Sequence, residues 1–171
     1  MGDVQKLKEM IEDQKTAMLT TSHEDSSLRS RPMMVRLYED GVLWFFTNLD
    51  GQKADALYED SPVNISFSDV SGGKFISLSA NAKIILDPKK NHELWNPLDK
   101  AWFAGGENDP NLALIKAHVT GAEYWDAKMG LMVTIFGYAK SMFTGEDYSG
   151  AEKVPFSENK KVSGQEIRQS H

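Results

Sequence analysis

Two arginines lie two positions apart in a segment that alternates like a β-strand. Arg29 and Arg31 belong to the run 28–38, in which residues 29, 31, 33 and 35 share one face. Neighbouring guanidinium groups repel each other and suit an anion, because each can donate two parallel hydrogen bonds to a phosphate. Pro32 cannot donate to a sheet ladder, so we expect this strand to run along an edge or a bulge that a ligand can approach.

A hydroxyl group and a lysine follow at a spacing that suits the same anion. Thr47 lies near the end of the next apolar run, and Lys53 falls six residues later, in the first turn of a helix predicted over 50–60. A helix N-terminus attracts phosphate through its free amide hydrogens and its dipole. We therefore predict that Arg31, Thr47 and Lys53 converge on a phosphate. The alternative is that Arg29 and Arg31 pair with acidic side chains on a solvated face.

The loop predicted over 97–110 contains two adjacent aromatic residues, Trp102 and Phe103, beside a pair of glycines. Loops usually expose their side chains, so two large aromatic side chains in one loop indicate that they pack against something. We interpret the pair as a surface that stacks on a ligand or on a partner subunit.

Several other kinds of site are excluded by residue type and spacing. The chain has no cysteine, which excludes disulfides, thiolate-bound zinc and iron–sulfur clusters. The histidines are His23, His92, His118 and His171. Their spacing matches no HxxxH or HExxH pattern, so we predict no metal site. The GxSxG, GxGxxG and P-loop motifs are also absent, and no catalytic side chain can be assigned.

The composition predicts one globular domain. The chain has 171 residues, of which 40% are hydrophobic and 26% charged. Its net charge of −6 argues against binding to nucleic acid. No apolar run reaches the roughly 18 residues of a membrane helix, and the N-terminus lacks the apolar core of a signal peptide. We therefore expect a soluble cytoplasmic protein without a membrane or nucleic-acid partner.

Hydrophobic periodicity predicts a leading helix over 3–15 and then a series of antiparallel hairpins. Strands are expected at 16–22, 28–38, 42–47, 63–67, 76–86, 119–125 and 131–142. Short helices are expected at 50–60, 88–95 and 110–116. Because no βαβ rhythm separates the strands, the pattern favours a small barrel over a doubly wound sheet. The domain is assigned to 1–143, and 144–171 is expected to be a flexible tail.

Six segments occur in an order that resembles a known family. Segments 30–36 (SRPMMVR), 42–49 (VLWFFTNL) and 52–54 (QKA) are similar to the front half of the pyridoxamine 5′-phosphate oxidase-related, FMN-binding split-barrel proteins. Segments 92–97 (HELWNP), 102–110 (WFAGGENDP) and 122–126 (AEYWD) resemble the general stress protein 26 branch of that family. The resemblance covers about residues 5–142.

The resemblance implies a mainly β fold with peripheral helices. This fold is a six-stranded antiparallel Greek-key split barrel with short crossover helices, which forms a homodimer with FMN sites at the subunit interface. The residues that match cofactor-binding positions of the family are Arg31, Met33, Met34, Val35, Arg36, Phe46, Thr47, Gln52, Lys53 and Trp102. Of these, Lys53 and Arg31 are expected to bind the phosphate, and Trp102 to contact the flavin from the opposite subunit.

The same resemblance implies a flavin-dependent oxidoreductase with a small-molecule substrate and a stress-related role. NAD(P)H or another small molecule would be the electron donor, and FMN is favoured over FAD, heme or a deazaflavin by the compact phosphate site. Two alternatives stay open: a flavin-binding sensor or storage protein without turnover, and a dimeric barrel without a cofactor. We do not expect pyridoxamine-phosphate oxidase activity, because residues 153–171 lack the arginine-rich, histidine-containing segment that holds that substrate.

Overall fold

The computed structural model describes residues 2–49 and 60–136, and the backbone of residues 151–155. The helices in these residues are α1 (Asp3–Gln14), α2 (Pro88–Leu94) and two short 3₁₀ helices (Pro97–Ala101 and Gly106–Asn108). The strands are β1 (Thr16–Ser22), β2 (Leu28–Glu39), β3 (Val42–Asn48), β4 (Ser61–Asp69), β5 (Lys74–Ile85), β6 (Leu112–Asp126), β7 (Leu131–Phe136) and β8 (Ala151–Pro155). The helix predicted over 50–60 lies outside the described residues.

Six of these strands close into an antiparallel barrel. Their hydrogen-bonded order is β3-β2-β1-β4-β5-β6, and β6 also pairs with β3, which completes the ring. The chain runs through β1, β2 and β3 in sequence and then crosses to β4 on the far side of β1, which is a Greek-key connection. β7 pairs with β6, and β8 pairs with β7. The predicted six-stranded antiparallel barrel with short helices is confirmed.

The amphipathic helix predicted at the start of the chain is confirmed as α1, which packs on the barrel core. Leu7, Met10 and Ile11 of α1 are buried in the same cluster as the inward-facing strand residues. The ammonium of Lys6 lies 2.8 Å from Oδ2 of Asp126, which is buried at the end of β6. The ion pair therefore attaches the polar side of α1 to the barrel.

The helix predicted over 110–116 is wrong, because most of that segment is the first half of β6. Leu112 and Leu114 pack in a cluster outside the barrel with Phe46, whereas Ile115 belongs to the barrel core. Both faces of residues 112–115 are buried, and these four residues are all apolar. Such a run is typical of a buried strand and equally of a buried helix, and here pairing with β3 and β5 on both edges makes it a strand.

The strand β8 falls within 144–171, for which the sequence predicts a flexible tail. Its backbone pairs with β7 from Leu131 opposite Pro155 to Ile135 opposite Ala151. Five residues with two charges at their centre give too weak an alternation to predict a strand. The boundary at residue 143 and the rest of the predicted tail lie outside the described residues and stay predictions.

β2 and β3 pair over only part of their lengths. The tight turn between them has positive φ at Asp40 (49°) and Gly41 (73°), as the Asp-Gly pair predicts. From this turn the pairing continues to Val35 opposite Phe45. Beyond that point, β2 pairs with β1 and β3 pairs with β6. The two strands therefore diverge, and the wall of the barrel splits between them.

Within the described part of the chain, no helix combines the length and the hydropathy that crossing a membrane requires.

We predict that Asp126→Asn lowers the free energy of unfolding at neutral pH by about 1.5–3 kcal/mol, the usual contribution of a hydrogen bond to a charged group. The hydrogen bond from Lys6 lowers the pKa of Asp126 below its ordinary value. The carboxylate therefore stabilises the fold above the unfolded-state pKa of about 3.9, and this contribution is lost as the pH falls through the folded-state pKa. Urea denaturation at decreasing pH should show the gap between wild type and variant closing in acid.

Asp13→Asn is the matched control for this prediction. Asp13 also joins α1 to the barrel, through Lys74 at 4.0 Å, but its side chain is 72% exposed. An exposed pair of this kind contributes less than about 1 kcal/mol. Equal losses in the two variants would contradict the stabilising role assigned to the buried carboxylate.

Candidate cofactor pocket

A pocket of about 500 Å³ lies where β2 and β3 diverge. Its lining residues come from β1, β2, β3 and the loop after α2, and they are Thr16, Pro32, Met33, Met34, Arg36, Phe46, Thr47, Asn48, Trp102 and Phe103. Small-molecule sites have volumes of roughly 300–1,000 Å³ and are lined by apolar and aromatic side chains with a few polar groups. The size and lining of this pocket are therefore those of a ligand or cofactor site.

Arg36 provides the positive charge in the described pocket wall. It lies at the irregularity between β2 and β3, where the pairing register shifts between Val35 and Leu37. Such a bulge re-aims the side chain of the extra residue. The Arg36 side chain is 13% exposed and pairs with Asp99, whose side chain is 5% exposed. Its guanidinium carbon also lies 4.8 Å from the centroid of the Phe46 ring, so the cation is held from two sides.

Two polar atoms of pocket-lining residues have no hydrogen-bond partner among the described residues. They are Nε of Arg36 and Oγ1 of Thr47, and both are shielded from solvent. Thr47 as a whole is 3% exposed. A buried donor without a partner costs about 1–3 kcal/mol. Unpaired donors on residues that line a pocket therefore call for an acceptor, which a bound ligand could supply.

The aromatic side of the pocket is built around Phe46. Its ring lies 6.1 Å from Phe103 in an edge-to-face arrangement and 6.0 Å from Trp95, measured between centroids. Phe103 is 7% exposed, so the prediction that this loop packs against something is confirmed for this residue. Trp102 lines the pocket of its own chain but is 78% exposed. It leaves an aromatic face at the pocket mouth.

Asp99 ties the aromatic loop to the strands. One carboxylate oxygen accepts from Arg36, and the other accepts from the backbone N–H of Asn96 at 2.9 Å. The backbone carbonyl of Asp99 accepts from the N–H groups of Trp102 (2.9 Å) and Phe103 (3.0 Å). One buried residue therefore contacts both the cation and the backbone of the aromatic wall.

Asp99 is not among the site residues predicted from the sequence. Its local signal is the capping box of the first 3₁₀ helix, in which the Asn96 and Asp99 side chains cap each other's backbone. That pattern predicts a turn but not a partner, because Arg36 lies 63 positions earlier in the chain. Pairings at such separation are set by the barrel and not by local sequence.

Six of the ten predicted cofactor-binding residues line the pocket: Met33, Met34, Arg36, Phe46, Thr47 and Trp102. Val35 packs against the barrel core instead. Arg31 is half-buried opposite Leu19 of β1 and is not a lining residue. Gln52 and Lys53 lie outside the described residues. The convergence of Arg31, Thr47 and Lys53 on a phosphate therefore stays a prediction, and the cation beside Thr47 in the described wall is Arg36.

The described lining residues include no Asp, Glu, His, Lys or Tyr. The pKa shifts occur elsewhere: burial lowers the pKa of His118, and burial together with Asp3 raises the pKa of Tyr124, both on β6 outside the pocket. Nor do residues 2–49 and 60–136 group three or more side chains that could hold a metal ion. This wall therefore offers recognition of a ligand but no group placed for proton transfer.

Comparisons with known proteins agree with this architecture. The family model described as pyridoxamine 5′-phosphate oxidase like matches residues 2–149. Protein bli-3 of Neurospora crassa is 30% identical over 151 residues, which cover 82% of this chain and 72% of that protein.

Two solved structures are similar in both sequence and fold. The general stress FMN/FAD binding protein of Xanthomonas citri is 33% identical with a TM-score of 0.63, over 71% of this chain and 86% of that one. General stress protein 26 of Bacillus anthracis is 27% identical with a TM-score of 0.63, over 70% of this chain and 91% of that one. The resemblance stated from the sequence motifs is confirmed, and the chain belongs to the pyridoxamine 5′-phosphate oxidase like family.

Proposed function

We propose that the pocket between β2 and β3 binds the ring system of FMN. The observation that carries this proposal is the pair of buried, unpaired donors, Nε of Arg36 and Oγ1 of Thr47, beside an apolar and aromatic wall. A flavin ring is flat and apolar over its faces and carries acceptor atoms on its edge, so it requires this combination. Membership of the family and the FMN/FAD binding protein of Xanthomonas citri support the assignment.

The phosphate of FMN needs more positive charge than the described wall provides. The lining residue Arg36 is balanced by Asp99, so a dianion gains little from it. We assign the phosphate to Lys53, with Gln52 beside it, and to Arg31, which lies on β2 near the pocket. If these residues bind the phosphate, the protein should bind FMN more tightly than riboflavin, which lacks the phosphate. Titration of the purified protein with FMN, FAD and riboflavin tests this assignment directly.

When bound, the flavin would supply hydride or electron transfer, and the chain would position it and set its electrostatic surroundings. We propose an oxidoreductase that acts on a small molecule under stress, takes electrons from NAD(P)H or another small donor, and works in the cytoplasm. The lack of a proton-transfer group in the described wall favours a second candidate, a flavin-binding sensor or store. Anaerobic mixing with NADH or NADPH separates them, because bleaching of the flavin supports the oxidoreductase and its absence with both donors supports the sensor.

Thr47→Val is expected to weaken FMN binding about tenfold, since the variant keeps the shape of the side chain and removes one donor to the ligand. The same change should leave the cofactor-free protein as stable as wild type or slightly more stable, because an unpaired buried hydroxyl is removed. Fluorescence titration with FMN and thermal unfolding without FMN measure the two effects.

Thr21→Val is the matched control. Thr21 is 2% exposed, and its Oγ1 also has no partner among the described residues, but it does not line the pocket. This variant should show the same effect on stability and unchanged affinity for FMN. Wild-type affinity in Thr47→Val would remove the flavin contact assigned to this hydroxyl, and failure of the wild-type protein to bind any flavin would overturn the proposed function.

We further propose that a second copy of the chain covers the pocket mouth. Met34 is 54% exposed and Trp102 78% exposed, and both line the pocket. Met18 is 40% exposed and lies opposite Pro32 on the same outer face of β1 and β2. Exposed apolar side chains that adjoin one another mark interaction surfaces, and a homodimer with its flavin sites at the interface would bury this one.

Met18→Lys should convert the dimer to a monomer and weaken FMN binding, because it places a charge in the proposed interface without changing a pocket-lining residue. Val70→Lys is the control, since Val70 is 81% exposed in the β4–β5 turn. Sedimentation analysis gives the mass of each variant, and FMN titration gives its affinity. A monomeric wild type, or a monomeric variant with full affinity, would contradict an interfacial site.

A further inference from the structure

We infer that Asp99 is a positioning residue that sets the charge around the flavin ring and thereby lowers its reduction potential, an inference that rests on the flavin site proposed above. It acts through Arg36 and through the aromatic loop, and not by contact with the cofactor.

Both oxygens of the Asp99 carboxylate have partners inside the protein. One accepts from Nη2 of Arg36, and the other accepts from the N–H of Asn96. The carboxylate therefore binds one end of the guanidinium, and Nε of this pocket-lining arginine has no partner among the described residues. Because the planar guanidinium cannot turn without breaking this ion pair and its contact with the Phe46 ring, the direction of the Nε–H group is fixed before a ligand arrives.

The ion pair also determines which acceptor suits that donor. Arg36 and Asp99 together carry no net charge, and their side chains are only 13% and 5% exposed. A phosphate dianion at Nε would lie close to a buried carboxylate and be repelled by it, whereas a neutral carbonyl oxygen would not. The donors of Arg36 and Thr47 are therefore suited to the carbonyl edge of the flavin ring, and the phosphate binds elsewhere.

The cancellation of the Arg36 charge by Asp99 affects the stability of the reduced cofactor more than that of the oxidised one. Two-electron reduction increases the negative charge of the ring, which an unbalanced guanidinium would stabilise. Asp99 offsets that stabilisation, because its charge lies next to the guanidinium in surroundings that screen little. Its presence therefore keeps the flavin harder to reduce than Arg36 alone would make it.

Asp99→Asn is the direct test, because asparagine keeps the size of the side chain and removes the charge; its single amide oxygen can accept from Asn96 or from Arg36, but not from both as the two carboxylate oxygens do. We expect the ratio of affinities for reduced and oxidised FMN to rise about tenfold, which for a two-electron couple equals an increase of about 30 mV in the potential. The FMN-loaded protein is titrated anaerobically with dithionite against a reference dye; dithionite supplies two electrons to each flavin, and water supplies the protons.

Asp109→Asn is the matched control from the same loop. Asp109 accepts from the N–H groups of Gly105 and Asn111, each at 2.9 Å, and is not a lining residue. Asp109→Asn weakens the hydrogen bonds that cap this loop, as Asp99→Asn weakens the cap at Asn96, but it changes no charge beside Arg36. An unchanged potential in this variant, with a raised potential in Asp99→Asn, supports the inference; equal shifts in both would assign the effect to loop structure and overturn it.

Arg36→Gln provides a test of opposite sign, which also decides the matter if Asp99→Asn fails to fold. Removing the cation and leaving the carboxylate should lower the potential and reduce affinity for oxidised FMN. A potential that stays at the wild-type value in a variant that still binds FMN overturns the inference and leaves the proposed function standing. A wild-type protein that binds no flavin overturns both.

Discussion

The pocket depends on one constraint, the point at which β2 stops pairing with β3. The Asp40-Gly41 turn joins the two strands at one end, and at the other end their pairing stops at Val35 and Phe45, directly after the bulge at Arg36. Past the bulge, β2 pairs with β1, and β3 stays paired with β6 as it is along its whole length, so β2 and β3 can separate without leaving both of their edges unpaired. The opening is therefore a consequence of barrel closure, and the side chains beside it sit on firmly paired strands.

Because the strands beside the opening are firmly paired, a buried ion pair in this position can fix a neighbouring loop to them. Taking a guanidinium and a carboxylate out of water costs several kcal/mol for each ion, which their attraction only partly returns. The Arg36–Asp99 pair is accordingly weak evidence for stability, but it joins a strand to a loop that has no strand partner of its own. The loop carries Trp102 and Phe103, whose N–H groups bond to the carbonyl of Asp99. The ion pair thus fixes the position of this irregular loop relative to the strands of the barrel.

Local pattern predicted most of the barrel and little of the site. Alternating segments such as β4 and β5 were predictable because each has one face in the core. The first half of β6 was not, because both of its faces are covered and the period-two signal disappears. In the same way, Arg31 stands out in the sequence through its spacing from Arg29, whereas the pocket wall contains Arg36. A bulge changes the face on which a side chain lies; Pro32 predicts an edge or a bulge in this strand but does not place the bulge at Arg36.

In the proposed complex, the strand residues and the loop residues have different roles, because they differ in position and in exposure. Arg36 and Thr47 belong to the strands and are nearly inaccessible, so they can orient a ring edge but cannot meet a second substrate. Trp102 belongs to the loop and is largely exposed, so whatever approaches the open side of the ring meets this indole first. If a second copy of the chain covers that side, it takes part in choosing the substrate. In the proposed complex, specificity would then be a property of the assembled dimer, and cofactor orientation would be a property of each chain.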